Sequence, residues 1–107
     1  MTPFQERVYT LLRRIPEGRV TTYGAIAKKM NTKAVRAVGS AVGKNPDAPH
    51  TPCHRVVPHD GKIGNYSGAG GVARKIALLD AEGVKVSNGK IVDFESKLYH
   101  FEGIIDV

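Results

Sequence analysis

The chain's one cysteine stands in the run Pro52-Cys53-His54-Arg55, which places a thiol, an imidazole and a guanidinium on successive residues just ahead of the apolar pair Val56-Val57. Cysteine attacks as its thiolate, so a neighbouring base or cation that draws off the proton makes it a nucleophile. His54 is placed to take that proton, directly or through water. Arg55 can hold the loop by bonding to backbone or to an acid. Three other readings stand beside this one. The cysteine could be buried and inert. It could ligate zinc with His50, His54 or His59, although neither a CxxC pair nor an HExxH helix accompanies it and no metal is expected. A protease-like Cys-His pair is also conceivable, but nothing in the surrounding basic segments favours a peptide substrate.

The elements that must position this loop are legible from local signals. Thr2-Pro3 is an N-cap followed by proline at the first helical position, and Phe4, Val8, Leu11, Leu12 and Ile15 recur at helical spacing up to the break Pro16-Glu17-Gly18. Thr22 caps a second helix starting at Tyr23, with Ile26, Ala27 and Met30 inward and Asn31 at its close. A third helix is expected over 33–44, packing through Ala34, Val35, Val38, Ala41 and Val42. Helices two and three, joined by about three residues, make a plausible helix-turn-helix. The third is thin: Ala34, Ala37, Gly39, Ser40, Ala41 and Gly43 give up helix propensity for close approach, and Lys33, Arg36 and Lys44 lie along it, able to reach phosphate or base edges. A tightly packed small-residue helix is the structural alternative.

Downstream, Arg55-Val56-Val57 reads as a short strand, Pro58-His59-Asp60-Gly61 as a turn, and Lys62-Ile63 as its return. Four glycines fall within residues 64–71 around Asn65-Tyr66-Ser67, but without the GKS or GKT of a P-loop or the spacing of a dinucleotide fingerprint, so no cofactor is expected. A helix over 72–81 buries Ile76, Leu78 and Leu79 and stops at Glu82-Gly83. A hairpin turns at Asn88-Gly89, and a short helix follows Asp93 with Phe94, Leu98 and Phe101. The fold class is mostly α with short β elements, a single winged-helix-like helix-turn-helix domain over 1–107.

Composition sets the bounds. At 107 residues and 41% hydrophobic, the chain suits one domain with a modest, mostly aliphatic core. One cysteine makes no internal disulfide, and no apolar run is long enough to span a membrane. A soluble intracellular monomer is expected, cytoplasmic in a prokaryote and nuclear in a eukaryote. Charge is lopsided: residues 1–55 carry ten Lys or Arg against three acids (+7), and residues 56–107 six against seven (−1). Such asymmetry suggests a positive face for a polyanion.

Taken in order, Arg36-Ala37-Val38-Gly39, Asn45-Pro46, Pro52-Cys53-His54-Arg55-Val56-Val57 and Gly64-Asn65-Tyr66-Ser67-Gly68 resemble the active-site domain of the O6-alkylguanine-DNA alkyltransferases, the methylated-DNA–protein-cysteine methyltransferases. The resemblance runs from Phe4 to Glu82. It implies that Cys53 accepts an alkyl group from O6 of a flipped-out guanine in double-stranded DNA, irreversibly, so that the protein is consumed. It further implies that His54 is the base, oriented by Glu82, and that Tyr23 donates at guanine N3. Arg36 would fill the space the base vacates, Asn45 would hold the segment before the cysteine loop, and Tyr66 and Ser67 would line the pocket. The chain departs from the pattern by starting near the active-site domain, without the separate N-terminal domain, and by its longer Gly68-Ala69-Gly70-Gly71 turn. The related alkyltransferase-like proteins are also short, bind the lesion without repairing it, and replace the cysteine, often with tryptophan.

Overall fold

The computed structural model describes residues 1–101, so the expected domain boundary at residue 107 lies outside the described residues. Helix α1 spans Pro3–Leu12, opened by a capping box in which Thr2 accepts from the Gln5 amide and the Gln5 side chain accepts from that of Thr2. The helix stops at Leu12, three residues short of the expected end. Ile15 is nevertheless buried, in the turn that follows. Strand β1 (Thr21–Thr22) leads into α2 (Tyr23–Lys29), whose first turn is capped by Thr22 Oγ1 accepting from the Ala25 amide at 3.0 Å. Asn31, with φ +58°, ends that helix, and α3 (Val35–Gly43) begins four residues later.

Helix α3 packs against both α1 and α2. Val38, Ala41 and Val42 face inward, and the smallness of this helix allows Tyr9 of α1 to donate a hydrogen bond to the Ala41 carbonyl at 2.7 Å. Val35, expected in the core, is instead 43% exposed: it is the first residue of the helix and faces the open cavity.

After a loop, a 3₁₀ turn at Cys53–Arg55 runs into β2 (Val56–Val57), which pairs in parallel with β1, Thr21 opposite Val56 and Thr22 opposite Val57. The sequence suggested that Lys62-Ile63 returns beside this strand. It bridges elsewhere: Lys62 lies opposite Lys90, and the Ile63 amide donates to the Gly89 carbonyl, so the segment joins the Asn88-Gly89 hairpin instead. Helix α4 (Gly71–Ala81) ends in a Schellman arrangement at Gly83, φ +88°, with the Val84 amide bonded to Leu79 and the Gly83 amide to Asp80. Its buried face matches the expected one only at Leu79. Ile76 and Leu78 are half-buried, while Lys75 and Leu79 are fully buried. Strands β3 (Val86–Ser87) and β4 (Lys90–Ile91) form the hairpin turning at Asn88-Gly89, both with positive φ, and α5 (Phe94–Lys97) follows. A larger cluster around α1, α2 and α3 and a smaller one around Val57, Leu79 and Val84 make the core, and Cys53 belongs to the first.

Candidate active site

The loop carrying Cys53 is fixed from its N-terminal side by a chain of hydrogen bonds. Asn45 Nδ2 donates to the Thr51 carbonyl at 2.7 Å, Asn45 Oδ1 accepts from the Asp47 amide at 3.0 Å, and Thr51 Oγ1 donates to Asp47 Oδ2 at 3.0 Å. The Thr51 carbonyl also accepts from the Cys53 amide at 2.9 Å. Proline at 46, 49 and 52 leaves this stretch few amides to satisfy, and Asn45 supplies the side-chain partner that helix or sheet would otherwise give.

The turn places the next two side chains on one carboxylate. His54 is 1% exposed, and its Nε2 lies 2.9 Å from Glu82 Oε2. Arg55 grips the same group twice, Nε to Oε1 at 2.9 Å and Nη2 to Oε2 at 2.7 Å, and its Nη1 donates to the Ile15 carbonyl at 2.6 Å. Burial pushes the His54 pKa down, against the upward pull of Glu82. Burial would raise the Glu82 carboxyl, but hydrogen bonds from Arg55 and His54 outweigh it and hold the group below the usual range. The pair at neutral pH is therefore a neutral imidazole and a carboxylate. With Nε2–H donated to Glu82, the other nitrogen, Nδ1, is the basic one. It is buried and has no hydrogen-bond partner in the structure.

Cys53, 5% exposed, opens on a cavity of about 420 Å³. Tyr23, Val35 and Gly39 line one side of it, and Asn65, Tyr66 and Ser67 the other. Ser67 Oγ donates to the Gly43 carbonyl, tying the loop to the end of α3. A Cβ at Gly68 would come within 2.6 Å of the Tyr66 ring, so glycine at 68 is what lets that ring pack close to the backbone there. Burial first, and negative charge at Cys53 second, raise the phenol pKa values of Tyr23 and Tyr66, which keeps both as hydrogen-bond donors.

The structure thus gathers Cys53, Tyr23, Tyr66 and Ser67 around one cavity, sets His54 and Glu82 behind it and Asn45 in the supporting loop. Lys33, Arg36 and Lys44 are exposed along α3 and its ends and do not line the cavity. Two residues escaped the sequence reading. Tyr9 anchors α3, and Lys75 is buried beside the cavity wall. The signal for Lys75 was its register, four residues before the buried Leu79 on the same helical face. No group of three His, Cys, Asp or Glu side chains suited to a metal occurs among the described residues, and none of their helices is long and apolar enough to cross a membrane.

Comparison with known proteins agrees with the geometry. The family model described as 6-O-methylguanine DNA methyltransferase, DNA binding domain, matches residues 3–84. A methylated-DNA–protein-cysteine methyltransferase of Thermococcus kodakarensis is 50% identical over 86 residues, 79% of this chain and 47% of the relative. Mycobacterium tuberculosis OGT, solved in complex with DNA, superposes with a TM-score of 0.72 at 47% identity over 77% of this chain and 50% of that one. The chain therefore spans about half the length of these methyltransferases. S. pombe Atl1, solved in complex with damaged DNA containing O6-carboxymethylguanine, superposes with a TM-score of 0.78 at 31% identity, covering 92% of this chain and 96% of Atl1. With a family model matching most of its length and the same helical frame, this chain belongs to the 6-O-methylguanine DNA methyltransferase family, through that family's DNA-binding domain.

Proposed function

We propose that this domain is also the active-site domain, and that it takes an alkyl group from O6 of guanine in duplex DNA onto Cys53, once and irreversibly. One observation carries the reading: the only thiol of the chain opens on a base-sized cavity directly before a buried imidazole whose free nitrogen is Nδ1 and whose other nitrogen is bound to Glu82. His54 Nδ1 takes the thiol proton, directly or through water. The Cys53 sulfur then forms its bond to the alkyl carbon while the carbon–O6 bond breaks and the electron pair leaves with guanine. Tyr23 donates a proton at guanine N3 and regains one from His54, so the thiol hydrogen ends on the base. Glu82 stabilises the imidazolium that forms in between.

Guanine O6 is stacked in the duplex, so the nucleotide must leave the helix, at a cost of a few kcal/mol. Helices α2 and α3 act as a helix-turn-helix, with Arg36 entering the vacated space and Lys33 and Lys44 on phosphates. Tyr66 packs beside the base, and Ser67 bonds near O6.

A second reading, a lesion sensor without transfer, is favoured by the near-complete overlap with Atl1. The presence of Cys53 weighs against it. Intact-protein mass spectrometry after incubation with duplex DNA carrying O6-methylguanine separates the two. Transfer gives a stoichiometric mass gain of one methyl group on Cys53, lost in Cys53→Ser while lesion binding remains. Selective binding with no mass gain would establish the sensor instead.

A further inference from the structure

The turn after β2 begins and ends in the wall of the cavity. Pro58 and Gly64 both line it, and they pack together: a Cβ on Gly64 would meet Pro58 Cδ at 2.8 Å. The residues between them, His59 to Ile63, therefore project from the cavity rim. The projection is held at two points. Gly61, φ +81°, packs against the Phe94 ring of α5, which a Cβ would meet at 2.9 Å, and Lys62 bridges β4.

That bridge sets charge against charge. The Ile63 amide donates to Gly89 and the Ile91 amide to Gly61, both at 2.8 Å. Lys62 and Lys90 are thus the pair lying between these bonds, the kind whose Cα atoms approach to about 4.5 Å. Both are exposed, with Ser87 beyond Lys90 in the same row, while Val86 and Ile91 belong to the smaller core cluster. Like charges directly opposite each other destabilise a sheet. Little offsets this pair. Lys62 Nζ has only Asp60 Oδ2 at 3.8 Å, and the other oxygen of Asp60 accepts the Lys62 amide. Lys90 forms no ion pair among the described residues, whereas Lys85 of the same hairpin region is bonded to Asp80 at 2.7 Å.

We propose that Lys62 and Lys90 form a phosphate clamp for duplex DNA, separate from α3: their two ammoniums take one backbone phosphate on the loop side of the cavity. A phosphate between them satisfies both charges at once and turns a repulsive pair into a chelating one. The reach fits, because Lys62 is two residues from Gly64 at the rim, at most about 7 Å of chain. The phosphate it meets is then within a few nucleotides of the extruded one. This rests on the reading of duplex DNA as the substrate and not on alkyl transfer.

Fluorescence anisotropy with lesion-containing and undamaged duplexes, over a salt series, tests the clamp. In the double variant Lys62→Ser/Lys90→Ser both duplexes bind more weakly, and the slope of log K against log salt falls by about 1. Raising salt from about 50 to about 200 mM then weakens binding about fourfold less than in wild type. The unfolding temperature does not fall, since a repulsion has been removed, and this separates the loss from damage to the fold. Lys62→Arg/Lys90→Arg keeps the binding, and Ser87→Lys, which extends the row, tightens it. Wild-type affinity and slope in the double Ser variant overturn the clamp, as does an equal loss in the double Arg variant. A lowered slope in the Ser variant, beside a wild-type chain that never takes methyl from lesion DNA, sinks the transfer reading and leaves the clamp standing. Methyl transfer to Cys53 with an unchanged slope does the reverse.

Discussion

At the scale of single residues, the site is a problem in placing charge. Glu82 receives three hydrogen bonds, two from Arg55 and one from His54, and each has a consequence for pH. His54 is held below its ordinary 6.5, so the folded chain resists a proton that the unfolded chain accepts. Its contribution to stability is complete above 6.5 and is lost as pH falls from there toward the lower folded value. Glu82 is held below its ordinary 4.5, and its contribution is complete above 4.5 and lost as pH falls through the folded value. Thermal unfolding followed from pH 8 to pH 3 should therefore lose stability in two stages. Glu82→Gln should erase the lower stage, and a lower stage that survives the substitution would mean that another carboxylate carries it. Removing Arg55 leaves the Ile15 carbonyl without its side-chain donor and the partly buried Glu82 carboxylate with only the bond from His54. Arg55→Met should cost about 3 kcal/mol in denaturant unfolding.

Among the elements, the Asn65–Ser67 loop depends on a glycine. Gly68→Ala sets a methyl group where the Tyr66 ring lies, and the ring, being half-buried, must swing toward the cavity. The expected outcome is a small change in unfolding temperature with a clear loss of affinity for lesion-containing DNA; wild-type lesion affinity in this variant would remove Tyr66 from the pocket. The contrast between this loop and the helices shows what can be read from a sequence. Thr2-Pro3, Thr22 and Asn88-Gly89 are signals complete within four residues, and the caps and the turn stand where those residues put them. The thiol loop was legible because its three functional groups are consecutive. What depends on distant partners was not. A lysine on a helix ordinarily points to water, and only the Val56 and Asn65 carbonyls, brought in from 19 and 10 residues away, make Lys75 a core residue. Arg55 and Glu82 meet across 27 residues, and spacing offers no hint of that pairing.

For the whole molecule, the lopsided charge becomes a surface. Lys33, Arg36 and Lys44 all belong to α3 or its flanks and are exposed, and none of them forms an ion pair among the described residues. If Lys33 and Lys44 sit on phosphates, each alanine variant should weaken DNA binding alike for damaged and undamaged duplexes and reduce the slope of log K against log salt by about 1. Arg36→Ala should instead act mainly on lesion-containing DNA. Fluorescence anisotropy across a salt series distinguishes the two patterns, and a lesion-dependent effect at Lys33 or Lys44 would count against their assignment to phosphate.

The short sheet beneath the site has one more consequence. Strand β1 is paired with β2 on one side, and on the other the Val20 amide donates to Lys97 at 2.9 Å and the Tyr99 amide to Val20 at 2.7 Å, with Thr21 Oγ1 donating to Tyr99. Residues from the far end of the described chain thus close the open side of the strand that leads into Tyr23. The segment matched by the family model ends at residue 84, before this closure. Cutting the chain back to that boundary would leave a bare strand edge, free to pair with a second molecule. Residues 97–99 therefore cover an edge that would otherwise be open to pairing with a second molecule.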